Sequence, residues 1–154
     1  MEAFYSPSRT PLVPIREVFR LAAEEASGDR YRTGVVAESL GYLQRGFDSH
    51  YAAETADDEQ ILLGDSSYAW AIETIARLDE TEFVAVASRL IRDGAGRISS
   101  GGTVDFGLWA PHLADLLDIV TGEGPESSEA RIWAAAESLE PEGSSNGPGR
   151  NAGI

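Results

Sequence analysis

Apolar residues in this chain recur three and four positions apart in one segment after another, and no alternating pattern is sustained enough to defend as a strand. Spacing of that kind places side chains on one face of a helix, whereas a half-buried strand needs a period of two. The first such stripe is Ile15, Val18, Phe19 and Ala22, with Glu17, Arg20 and Glu24 turned to water. Pro14 stands at its first position, where the missing N–H costs nothing, and Ser27-Gly28-Asp29 ends it. A second stripe, Val36, Leu40, Leu43 and Phe47, follows Thr33 as its cap. Gly34, Gly41 and Gly46 lower the intrinsic helicity there and imply close packing against a neighbour.

A third helix, starting near Thr55 and running from about Ala56 to Leu78, is the most apolar stretch, and its expected buried side is Leu62, Asp65, Ala69, Ile72 and Ile75 or Ala76. Thr81 is the expected cap of a fourth, carrying Phe83, Val84, Ala87, Leu90 and Ile91, frayed by Gly94 and Gly96 and closed by Ser99-Ser100-Gly101-Gly102. The short link between these two helices predicts an antiparallel hairpin. Pro111 reads as the first-turn proline of a fifth helix with Leu113, Leu116, Leu117 and Val120 inside. Gly122-Glu123-Gly124-Pro125 stops it, and Ser127 or Ser128 caps a sixth with Ile132, Ala135, Ala136 and Leu139. The expected fold class is therefore all-α, a single helical bundle of five or six helices. Residues 1–13, rich in proline, form an extended N-terminal segment; 14–140 form the helical domain; 141–154, with Pro, Gly, Ser and Asn, form a disordered tail.

Composition sets the surroundings. Leu, Ile, Val and Phe make up 35 of 154 residues, enough for a core. All 12 basic residues are arginine, against 26 Asp and Glu, for a net charge of −14. Codon bias toward arginine explains the missing lysine but not the excess of acid. A carboxylate surface repels itself in dilute buffer and is relieved when the Debye length falls to about 3 Å in molar salt. The composition therefore reads as halophilic, of the archaeal type that accumulates salt. There is no cysteine, which excludes disulfides and thiolate chemistry. With no apolar run of membrane length and no signal-like start, the expected location is cytoplasmic. Scattered arginines on an acidic chain argue against nucleic acid as a partner.

Few residues promise chemistry. Asp65 interrupts the apolar side of the third helix, and a buried carboxylate demands a partner, for which Arg89 or Arg97 is available. Its alternatives are a solvent-facing flank or a structural ion pair. Asp57, Asp58 and Glu59 are the best oxygen-ligand cluster for magnesium, with Asp65 as a further candidate. Adjacent residues on a helix point about 100° apart, however, and the position four after Asp57 is Ile61, so a solvated acidic helix start is the simpler reading. His50 and His112 form no HExxH or i, i+4 pair, and no Gly-x-Ser-x-Gly elbow or P-loop is present. Trp70, Trp109 and Trp133 are core residues, or interface residues where exposed together.

Leu62-Leu63-Gly64-Asp65 through Arg77-Leu78, followed by Phe83 to Gly102, is similar to a helix pair of the all-α polyprenyl diphosphate synthases, in which Gly-Asp opens an apolar helix and the next helix ends in a glycine-containing turn. The similarity spans about 40 of the 154 residues. The family's Asp-Asp-x-x-Asp magnesium motifs and phosphate-binding lysines are missing, and the chain has about half the length of a complete synthase. The resemblance thus implies a short, non-catalytic relative, comparable to the small subunits of two-component synthases, with no catalytic residue carried over. The expected function is non-enzymatic, through association with a protein partner or as a homo-oligomer, a regulatory or accessory partner of such a synthase being the narrower form. A magnesium-dependent isoprenoid-synthase-type enzyme and an antitoxin-like or transcription-associated regulator are the alternatives. No cofactor is expected unless the first alternative holds, in which case it is magnesium.

Dialysis from molar KCl into about 10 mM salt, where the Debye length reaches about 30 Å, is expected to diminish the helical circular dichroism. A spectrum that stays fully helical contradicts salt dependence.

Overall fold

The computed structural model describes residues 11, 13–51 and 58–140, without the side chains of His50 and Tyr51. Within them are six helices and no strand: α1 (Ile15–Glu25), α2 (Arg30–Tyr51), α3 (Asp58–Ala76), α4 (Thr81–Ser99), α5 (Phe106–Thr121) and α6 (Pro125–Ser138). The all-α bundle expected from periodicity is what the chain forms. The tail 141–154, most of the N-terminal segment and Thr55 lie outside the described residues.

Each helix packs on the next in sequence, and α6 returns to α1, closing the circuit. The interior is filled by the large side chains of the predicted stripes: Ile15 and Phe19 from α1, Leu40, Leu43 and Phe47 from α2, Phe83 and Leu90 from α4, and Leu113, Leu116 and Leu117 from α5, all fully buried. Removing each from water is worth about 1.5–3 kcal/mol, which is what holds six otherwise marginal helices in place. Arg32 on α2 adds a paired contact across the fold, donating from Nε and Nη2 to the two oxygens of Glu80 at 3.1 and 2.7 Å. Its guanidinium also lies over the Phe83 ring, 5.3 Å from the centroid.

The α2–α3 contact is the most extensive of all, whereas α3 touches α4 much less, so the hairpin partner expected for α3 is secondary to α2. Small residues make it possible. A Cβ on Gly46 would fall 2.5 Å from Cε1 of Tyr68 and 3.2 Å from the Gly64 carbonyl oxygen. The Ser39 hydroxyl donates to the carbonyl of Ala71 at 2.8 Å within this seam. The buried side of α3 is consequently Gly64, Ser67, Ala71, Thr74 and Ile75. This corrects the expected side. Asp65 and Ala69 are exposed, Leu62 is 65% exposed and Ile72 is half-buried, because close approach selects small side chains and turns the large ones out.

Helix starts also differ from expectation, for reasons of tertiary geometry. Asp29, not Thr33, caps α2, accepting from the Arg32 amide at 3.0 Å, while Thr33 lies buried inside the first turns. Thr81 is the first residue of α4 rather than its cap, which is Glu80 and makes no side-chain capping bond. Asp105 caps α5 through the Leu108 amide at 2.9 Å, which leaves Pro111 inside the helix instead of in its first turn. Pro125 opens α6 ahead of the serines, and Asp118 Oδ1 holds the amide of Gly124 just before it at 2.7 Å. Pro14 precedes α1 without a capping side chain; Gln44 of α2 supplies the missing acceptor, taking the Ile15 amide at 2.9 Å. The same amide group donates to the carbonyls of Pro11 and Val13 at 3.1 and 3.0 Å.

Gly94 does not fray α4, which continues to Ser99. It is buried where a Cβ would stand 2.6 Å from Phe47 Cζ and 3.2 Å from Trp109 Nε1, two side chains fully buried. Gly94→Ala is therefore expected to destabilise by about 1–3 kcal/mol through overpacking, despite alanine's higher helix propensity. Gly34→Ala, where an added Cβ meets nothing within 4 Å, is expected to stabilise by about 0.5–1 kcal/mol. Urea unfolding in molar KCl reads both, and equal signs for the two substitutions would contradict the packing argument.

Candidate functional site

Two features stand out from the structural background: a half-buried histidine–aspartate pair, and exposed apolar side chains on α3. The pair joins α4 to α5. His112 Nε2 lies 2.7 Å from Asp93 Oδ2, and because a carboxylate only accepts, Nε2 is the donor. The neutral ring then has its lone pair on Nδ1, which is buried and has no hydrogen-bond partner among the described residues. A general base must reach the proton it abstracts. Nδ1 reaches none while α4 and α5 stay packed, so the pair has the makings of an interhelical tie and lacks the access that acid–base chemistry requires. One turn earlier on α5, Trp109 is fully buried, its ring edge-on to Phe47 with centroids 5.1 Å apart. That assigns Trp109 to the core and corrects its place among interface candidates.

The acidic candidates do not converge. Asp57 lies outside the described residues, while Asp58 and Glu59 are exposed at the start of α3. Asp65 is exposed too, contrary to its expected burial, and it lies seven residues beyond Asp58 on the same helix. At 1.5 Å rise per residue, that spacing separates the two by about 10 Å along the axis, too far for one ion to take both carboxylates. Among the described residues no group of three or more His, Asp or Glu is placed to hold a metal. His50 lies in α2, its side chain outside the description.

The second feature is larger. All six residues 58–63 of α3 are exposed, including Ile61 at 42%, Leu62 at 65% and Leu63 at 49%. Successive residues point about 100° apart, so this first stretch is apolar over three directions and uncovered in each. Two turns on, Trp70 is 51% exposed and stacks on Tyr42 of α2 with ring centroids 6.3 Å apart. Arg45 crosses the other end of the Tyr42 environment, its guanidinium 5.7 Å from that ring's centroid. Leu63, Arg45 and Gln44 also line an open cleft of about 800 Å³ between α2, the start of α3 and the chain entering α1. The Leu63–Trp70 spacing places both on one edge of α3, facing α2. Sequence reasoning left Trp70 as core or interface, placed Leu62 on the buried side and passed over Tyr42, Arg45, Ile61 and Leu63; the available signal was the row Gly64, Ser67, Ala71, Thr74, small residues at helical spacing.

Electrostatics elsewhere are those of a surface. Hydrogen bonds from Arg131 hold the exposed Glu123 carboxyl below the ordinary glutamate range. Arg20 is likewise raised by its hydrogen bond and charge pairing with Glu17. No helix of the described residues is long and apolar enough to cross a membrane. No protein-family model matches the chain, and neither the curated proteins nor the solved structures yield a match.

If His112 and Asp93 act as a structural tie, Asp93→Ala removes the acceptor of a half-buried ring N–H and is expected to cost about 0.5–1.5 kcal/mol. Denaturant unfolding measures it, and a substitution without effect on stability would argue against the tie.

Proposed function

We propose that this protein acts without chemistry of its own, by binding a protein partner across the α2–α3 seam. The observation that carries the reading is the exposure of Leu62, Leu63 and Trp70, together with Tyr42 and Arg45 beside them. Trp, Tyr and Arg are the residues that dominate binding energy at protein interfaces, and they do so when surrounding contacts exclude water from them. A stacked Trp70–Tyr42 pair is rigid, so its burial costs little side-chain entropy. Asp58, Glu59, Asp65 and Glu73, all exposed on α3, supply a polar rim.

A second copy of the chain is the simplest occupant, with association strengthened in salt that screens the acidic rims from one another. The resemblance of residues 62–78 and 83–102 to polyprenyl diphosphate synthase helices names the heterologous partner to try first: a prenyl synthase of the same cell, which this chain would regulate or support. Salt-adapted, cytoplasmic residence belongs to the same reading and rests on the charge balance of −14 and the absence of lysine.

Leu62→Asp, at a position 65% exposed, is expected to change stability by no more than about 0.5 kcal/mol, and Trp70→Asp, which gives up the stack on Tyr42, to cost about 0.5–1.5 kcal/mol. Light scattering in molar KCl, with and without a purified prenyl synthase, should show an assembly of the unsubstituted chain that both variants lose while their helical spectra persist. A chain that remains monomeric and binds no synthase, or variants that assemble unchanged, would overturn the reading.

A further inference from the structure

A separate cavity, along α6, has the chemistry of a ligand site. It has a volume of about 460 Å³ and lies along α6, closed at one side by Val13 and by Phe106 at the start of α5. Small-molecule sites commonly measure about 300–1,000 Å³. Its aromatic wall is a corner: the Trp133 and Phe106 rings meet at 80° with centroids 5.1 Å apart. Trp133 is 46% exposed, so a ring face remains open to an occupant. Ala130 and Ala134, beside Trp133 on α6, leave room next to the indole that larger side chains would fill.

The charge of the cavity is one-sided. Glu137 and Glu140 line it, and no basic side chain does among its described residues. Neither carboxylate has an arginine partner within the described residues, although Arg131 on the same helix is engaged by Glu123. Glu137 sits in the last turn of α6, which contains no basic residue, and Glu140 follows just beyond the C-cap Leu139. The partial negative charge of a helix end makes that an unfavourable position for a carboxylate and a favourable one for a cation. Aromatic faces attract cations by their quadrupole, most strongly for tryptophan. A sequence that sets Glu137 against a helix dipole, with a second acid just past the helix end and an open indole beside it, has departed from local preference at a place where a bound cation restores the balance.

We infer that this cavity binds a small organic ammonium ion with an apolar body, the alkyl groups lying in the Trp133–Phe106 corner and the charge directed to Glu137 and Glu140. A hydrated inorganic cation leaves the apolar corner unfilled, and a neutral ligand forgoes the charge attraction of the carboxylates and of the indole face. The combination selects an ion that offers both. The inference is independent of the α2–α3 surface, which involves none of these side chains.

The test is calorimetric titration of the full chain in molar KCl with choline and with 3,3-dimethylbutan-1-ol, which has the same shape without the charge. Choline is expected to saturate one site and to bind about tenfold tighter than the neutral alcohol, the ratio a single desolvated cation–aromatic contact provides. Trp133→Leu should weaken choline by about tenfold, and Glu137→Gln should narrow the difference between the two ligands. Circular dichroism confirms that both variants stay folded, as expected for exposed positions. Equal affinity for the two compounds, no saturable binding of choline, or choline affinity unmoved by either substitution would each overturn the inference.

Discussion

The close approach of α2 to α3 governs the rest of this molecule. Gly46 faces Tyr68 and the Gly64 carbonyl without room for a methyl group, and the Ser39 hydroxyl bonds to the Ala71 carbonyl inside the contact. Such a seam is built from dispersion contacts between backbones and small side chains, so it tolerates little added volume. It also dictates orientation. With Gly64, Ser67, Ala71 and Thr74 turned inward, the larger residues Ile61, Leu62, Leu63 and Trp70 have nowhere to go but outward. The feature that secures the fold and the feature that offers a binding surface are thus two sides of one helix.

How much of this was legible in the sequence depended on side-chain size. Where a helix buries large residues, as Val36, Leu40, Leu43 and Phe47 do on α2, periodicity identifies the inner face directly, and those four are all fully buried. The same reasoning applied to α3 ranked residues by hydrophobicity and selected Leu62 and Ala69, when the determining quantity was how near the neighbouring backbone comes. Caps show a related gap. Thr33, Thr81, Ser127 and Pro111 each suit a helix start by local preference, but Asp29, Glu80, Pro125 and Asp105 hold or precede the actual starts, because the packing of the helix body sets where its first turn falls. The three tryptophans were indistinguishable in sequence; only tertiary contact places Trp109 against Phe47 in the interior and leaves Trp70 and Trp133 partly in water. His112 could be noticed, but not its pairing with Asp93, which lies on another helix.

The exclusive use of arginine has structural expression. Arg32 and Arg131 each present two nitrogens to one carboxylate, Glu80 and Glu123 respectively, a forked geometry that lysine cannot reproduce. With 26 acids against 12 arginines, carboxylates outnumber the cations available to pair with them. Exposed pairs of this kind contribute little individually. Their value here is to fix the α2 start against the α3–α4 link and α6 against the loop before it, so that a strongly acidic surface surrounds a rigid frame.

Gln44 has a consequence for the order in which the chain organises itself. The first amide of α1 and the two carbonyls that precede it are satisfied by one side chain two-thirds of the way along α2, not by anything local. Starting a helix is its least favourable step, and α1 has only 11 residues to repay it. Helix α1 is therefore no autonomous nucleus during synthesis: it leaves the ribosome before α2 and acquires its full complement of bonds only after α2 has formed alongside it.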